Sequence, residues 1–180
     1  AMEKLQEQYP DGYKNREDYK KYQLSAKTLA DALIFFQRGD GSWVNAFDDY
    51  QTGGTNNQDQ GKGVNLWVAF RLSEYSKLTG DKNAYDSAKK AVSWIKNNWM
   101  MNNAVYTIFQ TDRGPVKIAV TEDNLDAWYA FSSLASSANL FKDSAKEAEY
   151  KALTAGIQNH LLTKAYGSYI WYGDSPSYPI

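Results

Sequence analysis

Apolar and polar positions alternate along this chain with a helical period, and the helices they predict are of two kinds. Residues 16–37 place Tyr22, Ala26, Leu29, Leu33 and Phe36 four and three apart, on one stripe of an amphipathic helix. Residues 82–99 do the same through Ala84, Ala88, Val92, Ile95 and Trp99, and residues 144–162 through Ala148, Ala152, Ala155 and Leu161. Residues 64–78 and 124–138 differ. Val64-Leu66-Trp67-Val68-Ala69-Phe70 and Leu125-Ala127-Trp128-Tyr129-Ala130-Phe131-Leu134 leave little room for a solvated face, so both helices are expected to be buried all round. The order is outer, inner, outer, inner, outer, which is that of helical hairpins in a partial α/α toroid.

Self-similarity supports that order. Ser-Ala-Lys recurs at Ser25, Ser87 and Ser144, and Val44 and Phe47 fall opposite Tyr106 and Phe109 at an offset of about 62 residues. Asn65-Leu66-Trp67-Val68-Ala69-Phe70 is echoed by Asn124-Leu125 and Trp128-Tyr129-Ala130-Phe131. Short β-like segments are expected at the junctions, over 104–110, 115–120 and 166–172, with a turn at Asp112-Arg113-Gly114-Pro115. Thr79-Gly80-Asp81 closes one helix and opens the next, and Thr121 is the expected N-cap of the fourth. The fold class is therefore all-α: about five helices in hairpins, with short β-like pieces between them.

Length changes the picture. At about 60 residues per helical pair, a closed ring of six hairpins needs about twice these 180 residues. The expectation is a single domain over 1–180 that forms an open arc, the N-terminal half of a larger six-hairpin domain. A missing C-terminal half or a second copy of the chain would cover its open edge.

Composition narrows the chemistry. The chain has no cysteine and one histidine, His160, which excludes thiol catalysis, zinc–thiolate sites and multi-histidine metal sites. No metal and no cofactor are expected. A net charge of −1 removes the electrostatic case for nucleic acid or acidic lipid, and no apolar run is long enough to span a bilayer. No signal peptide is visible. Ala1-Met2 reads as a cloning remnant, and the lack of cysteine favours an extracellular or periplasmic protein. Aromatic residues reach 15 %, with six Trp and fourteen Tyr, more than a small core needs. Surplus aromatics line ligand surfaces.

Four places carry candidate chemistry. The first is Thr121-Glu122-Asp123-Asn124-Leu125-Asp126, where three carboxylates occupy the first turns of an inner helix. Glu122 and Asp126 share a face. Carboxylates at such a helix start serve as general acid, general base or sugar-hydroxyl anchor. Glu122 and Asp123 also suit the helix dipole, whereas Asp126 lies deeper in an apolar helix, where a charge needs a partner or a purpose. The second is the polar loop from Asp48-Asp49-Tyr50 to Gly63. Asp48 and Asp49 are candidate substrate ligands and a candidate second carboxylate, or part of a solvated loop. Its Gly61-Lys62-Gly63 lacks the spacing of a phosphate loop, and its acids lack that of a calcium loop.

The third is Gln37-Arg38-Gly39-Asp40-Gly41-Ser42-Trp43, a Gln-x3-Gly-x-Trp pattern that reads as a helix stop with a Trp packed back on the helix ends. The fourth is the set of aromatics Trp43, Trp67, Tyr106, Trp128, Trp171 and Tyr172, which could stack on pyranose faces. Trp67 and Trp128 also fit a core. Trp171 and Tyr172 stand beside Gly173-Asp174, outside the helices. His160, near a helix end, favours the dipole rather than catalysis.

The stretch Thr121-Glu122-Asp123-Asn124-Leu125-Asp126-Ala127-Trp128-Tyr129-Ala130-Phe131 resembles the T-E-x-N-x-D-x-Y-x-A-F segment of bacterial six-hairpin (α/α)6 glycosidase-like proteins. Gly167-Ser168-Tyr169-Ile170-Trp171-Tyr172-Gly173-Asp174 is similar to a later segment there, so the resemblance runs across roughly 60–180. It implies a toroid and a carbohydrate context. The expectation is a carbohydrate-active domain of glycoside-hydrolase type. Its candidate acids are Glu122, Asp123 and Asp126, with Asp48, Asp49, Trp67, Trp128, Trp171 and Tyr172 holding a polysaccharide or oligosaccharide. The alternatives are a non-catalytic glycan-binding module and a structural or protein-interaction toroid.

Overall fold

A computed structural model of the protein describes residues 17–44, 61–111 and 114–164. In chain order these form α1 (Glu17–Phe35), α2 (Lys62–Thr79), α3 (Lys82–Trp99), β1 (Met100–Met101), β2 (Ala104–Val105), β3 (Thr107–Thr111), β4 (Gly114–Ile118), α4 (Thr121–Leu140) and α5 (Ser144–Lys164). The fold is all-α, with five helices among the described residues. Its strands form two small antiparallel pairs, β1–β2 and β3–β4. The expected β-like segments at 104–110 and 115–120 coincide with these strands. The one at 166–172 lies outside the described residues.

The chain divides into two compact units, residues 1–36 and 37–180. The helix of the first unit, α1, buries Tyr19 and Ala30. Its expected apolar stripe is not its buried face: Tyr22 is 43 % and Leu29 62 % exposed. Periodicity locates a stripe but not what covers it.

The described helices of the second unit form two hairpins. Between α2 and α3, Gly80 takes the left-handed conformation at φ 75° and its N–H donates to the Ser76 carbonyl at 2.8 Å. Asp81 then caps α3, its Oδ1 accepting from the Asn83 and Ala84 N–H groups. These are the closing and opening residues read from sequence. α3 buries the stripe its spacing predicts, with Ala84, Ala88, Val92 and Ile95 each at most 1 % exposed. At α4 the N-cap is Val120 rather than Thr121, which is the first helical residue. On α5 the buried positions are Tyr150, Ile157 and His160, while Ala148, Ala152 and Ala155 face solvent. The large side chains outweighed the alanines in choosing the buried face, because they remove more apolar area from water.

α2 and α4 pack side by side, each also against its own hairpin partner. Their seam is lined by small hydroxyls. Ser73 Oγ and Ser137 Oγ are 2.8 Å apart, Ser133 Oγ donates to Ser73 Oγ at 2.8 Å, and Ser133 also reaches Glu74 Oε1 at 2.5 Å. Gly63 meets Asp123 and Asp126 at the other end of the seam, so the two helices run in the same direction.

Two asparagines tie the repeated units to their preceding segments in the same way. Asn65 accepts from the Trp43 N–H at 2.7 Å and donates to the carbonyls of Trp43 and Gly61. Asn124 accepts from the Val105 N–H at 2.9 Å and donates to the carbonyls of Val105 and Val120. Both are at most 1 % exposed. Trp43 and Val105 stand at the offset of about 62 residues seen in sequence.

The Gln-x3-Gly-x-Trp pattern is a structural device. Gln37 donates to the carbonyls of Gly41 and Ser87 and accepts from Ser87 Oγ. Gly41, at φ 96°, lies so close to α3 that a Cβ there would be 2.6 Å from the Lys90 carbonyl oxygen. Trp43 is 1 % exposed and belongs to the core.

Candidate functional site at the heads of α2 and α4

The parallel run of α2 and α4 brings their first turns together. Gly63 makes this possible: a Cβ at that position would lie 3.3 Å from Asp123 Oδ1 and 3.4 Å from Asp126 Oδ2. The carboxylates of α4 therefore lie directly against the backbone of α2.

The three acids have different surroundings. Asp123 Oδ2 accepts from Thr107 Oγ1 at 2.9 Å, and Lys62 Nζ stands 3.7 Å away. The Lys62 and Asp123 side chains are 14 % and 15 % exposed, so this pair is largely withdrawn from water. Lys62 also lies over the Trp99 ring, 4.9 Å from its centre. Asp123 is thus a held anion. Glu122 is exposed.

Asp126 is 8 % exposed. Among the described residues its carboxyl makes no hydrogen bond and no ion pair. Burial, then the neighbouring charges of Glu122 and Asp123, push its pKa up from 3.8 to about 6. A carboxyl in that range changes protonation near neutral pH and suits proton transfer.

The inner helices are not buried all round, contrary to the expectation from their composition. Val64 is 41 %, Trp67 42 %, Leu125 39 % and Tyr129 47 % exposed. Gly63, Trp67, Phe70 and Arg71 fall on one face of α2, and Glu122, Asp126 and Tyr129 on one face of α4. Phe70 and Tyr129 join the two faces with ring centres 5.8 Å apart, and Trp67 meets Phe70 edge-on at 5.6 Å. Trp128 is half-buried and meets Tyr129 edge-on at 5.1 Å. An aromatic strip thus begins about one helical turn from Asp126. Contiguous apolar exposure of this kind marks interaction surfaces.

Of the residues singled out in the sequence, Glu122, Asp123, Asp126, Trp67 and Trp128 belong to this region. Asp48, Asp49, Trp171 and Tyr172 lie outside the described residues. Tyr106, at 6 % exposure, is a core residue like Trp43 and is unavailable for stacking. Sequence reasoning passed over Lys62, Gly63, Thr107, Phe70, Arg71 and Tyr129 as site members. Counting i+7 from Gly63 and from Glu122 would have found Phe70 and Tyr129. The Lys62–Asp123–Thr107 contact has no such local signal, because it joins three separate elements. Among the described residues no group of three acids or histidines is placed to hold a metal ion.

Comparison with protein-family models and with curated proteins gives no match. Among solved structures, the chain is similar to a mutant of a family 10 polysaccharide lyase from Cellvibrio cellulosa in complex with trigalaturonic acid. The TM-score is 0.52 at 20 % identity, over 81 % of this chain and 50 % of that one. The likeness is one of fold. The chain spans half the length of the structure it matches.

Proposed function

We propose that the protein is a carbohydrate-active domain that grips a polysaccharide along the α2–α4 face and uses Asp126 to move a proton during cleavage of the glycosidic bond. The observation that carries this is Asp126 itself: a buried carboxyl, unpaired among the described residues, with a pKa near 6, at the head of an exposed aromatic strip. An unpaired buried charge costs stability and is kept where it has work to do. The similar fold of a polysaccharide lyase that holds a trisaccharide acid supports the ligand class. So does the resemblance of residues 121–131 to six-hairpin glycosidase-like proteins. The chain then corresponds to the N-terminal half of a six-hairpin toroid.

In this scheme Trp67 and Tyr129 offer ring faces to the C–H groups of sugar rings. Lys62 and Thr107 fix Asp123, whose charge helps hold the Asp126 pKa up. Glu122 and Asp126 stand one turn apart on the same helix face, on one side of whatever lies against it. A hydrolase needs its second carboxylate across the bond, and the sequence offers Asp48 and Asp49 as candidates for it.

A second reading is a non-catalytic glycan-binding module. It is favoured by the placing of Glu122 and Asp126 on a single face and by the engagement of Asp123 with Lys62 and Thr107. Release of reducing ends from a panel of polysaccharides, with calorimetric binding on the same panel, decides between them. Product release that disappears in Asp126→Asn is the expected result. Binding without release establishes the module, and neither binding nor release overturns both.

A further inference from the structure

The α2–α4 face carries a cation that proton transfer does not use. Arg71 lies in the aromatic strip, with its guanidinium carbon 5.1 Å from the centre of the Trp67 ring and 5.0 Å from that of Phe70. It is exposed, and among the described residues it has no ion-pair partner. The other basic side chains of α2 are paired: Lys62 with Asp123 at 3.7 Å and Lys77 with Glu74 at 2.5 Å. Of the basic side chains of α2, Arg71 is the one without an ion-pair partner among the described residues, and it lies against two aromatic rings.

We infer that Arg71 reads a carboxylate on the sugar, so that the ligand of the α2–α4 face is a uronate-bearing oligosaccharide rather than a neutral one. The inference rests on the glycan-binding reading of this face. The physical case is one of preorganisation. A guanidinium laid on two rings gives up part of its rotamer freedom before any ligand arrives. Among the described residues its N–H groups make no hydrogen bond, and a planar carboxylate accepts two such groups side by side. A lysine would offer a point charge without that geometry.

Position fits as well. Arg71 follows Gly63 by eight residues, about 12 Å along the helix, and Gly63 is the residue beside Asp126. A carboxylate bound at Arg71 is therefore kept away from the acids at the head of α4. An extended oligosaccharide can span both places, with its ring faces on Trp67 and Tyr129 between them.

The test is calorimetric titration of the full chain with an oligogalacturonate and with the carboxyl-reduced form of the same oligosaccharide. The wild type is expected to bind the uronate at least tenfold more tightly, with an advantage that shrinks as salt is raised. Arg71→Gln is expected to remove that advantage, so that the two forms bind it with equal affinity, and Arg71→Lys to recover only part of it. Arg71 is exposed, so thermal unfolding of Arg71→Gln should match the wild type and exclude misfolding as the cause. Equal affinity of the wild type for the two forms, or an unchanged preference in Arg71→Gln, overturns the inference and leaves the glycan-binding reading intact. Binding of neither form, nor of any glycan in the panel, overturns the glycan-binding reading and the inference with it.

Discussion

Gly63 of α2 leaves the space beside Asp126 of α4 open: a Cβ added to Gly63 would stand 3.4 Å from Asp126 Oδ2. A residue with no side chain lets the backbone of one helix serve as the wall of a carboxyl site on its neighbour. It also lets the two helix heads approach closely enough to bury Asp126. Gly63→Ala gains helix propensity of about 0.5–1 kcal/mol, but its methyl presses on Asp123 Oδ1 at 3.3 Å. The expected outcome is a stability within about 1 kcal/mol of wild type and an Asp126 pKa raised further, since the methyl excludes water. Carboxyl-detected NMR titration of both proteins checks this.

Asp126 should make the protein less stable at neutral pH. Its folded pKa, about 6, lies above its ordinary value of 3.8, so the folded state holds the proton more tightly than the unfolded state. Stability therefore falls as pH rises from about 4 to 6, and the cost is fully present above that window. Asp126→Asn removes it. The substitution is expected to stabilise the protein by roughly 1–3 kcal/mol at pH 7 and by almost nothing at pH 4. Thermal melts at the two pH values read the difference, and a variant no more stable at pH 7 than the wild type would contradict the site geometry.

The opposite slope is expected below pH 4. Burial alone would raise the pKa of Asp143, but hydrogen bonds from Tyr85 and Lys89 outweigh it and hold this carboxyl below its ordinary range. Glu149 is likewise lowered: the hydrogen bonds from Lys146 and Lys96 exceed the effect of burial. A lowered folded pKa contributes stability above the unfolded value, and that stability is lost as pH falls through the folded value. Lys89→Met should therefore move the acid-unfolding midpoint upward in pH while changing the Asp126-dependent window little. Circular dichroism across a pH series tests both parts.

The paired asparagines predict equal costs. Asn65→Ala and Asn124→Ala each remove three hydrogen bonds, all of them to backbone groups. About 2–4 kcal/mol is expected for each. Urea unfolding of the two variants should give losses within about 1 kcal/mol of each other. A loss in only one would mean that the repeated unit is not an energetic equivalent of the first.

Trp67→Ala separates surface from core. A ring 42 % exposed on the α2 face contributes little to packing, so the expected cost is about 1 kcal/mol or less. Glycan affinity is expected to fall at least tenfold. A destabilisation of 3 kcal/mol or more would instead assign Trp67 to the core, at the level of a fully buried tryptophan.

Much of the fold was legible because its determinants are local. The helical periods, the Gly80-Asp81 junction and the apolar stripe of α3 all depend on residues within a turn or two of one another, and the repeat shows by comparing two such local patterns. What failed was the choice of buried face. The stripe of α1 through Tyr22 and Leu29 and the alanines of α5 were inferred from spacing, and the all-round burial of α2 and α4 from composition. Burial is decided by what lies opposite. For the acids, spacing alone marked Asp126 as anomalous, since a carboxyl past the first turn of an apolar helix has no local explanation. Spacing could not show what holds Asp123, because Lys62 and Thr107 reach it from other elements.

The sequence by itself determined an all-α chain of repeated helical hairpins with an acidic start to its fourth helix. Only the tertiary structure decided that α2 and α4 lie parallel, so that Gly63 lies beside Asp126, Lys62 pairs with Asp123, and Phe70 and Tyr129 join two helices into one aromatic face. Periodicity and capping act through the chain within about five residues. Desolvation and charge pairing act through space, between residues that the chain holds about 60 positions apart.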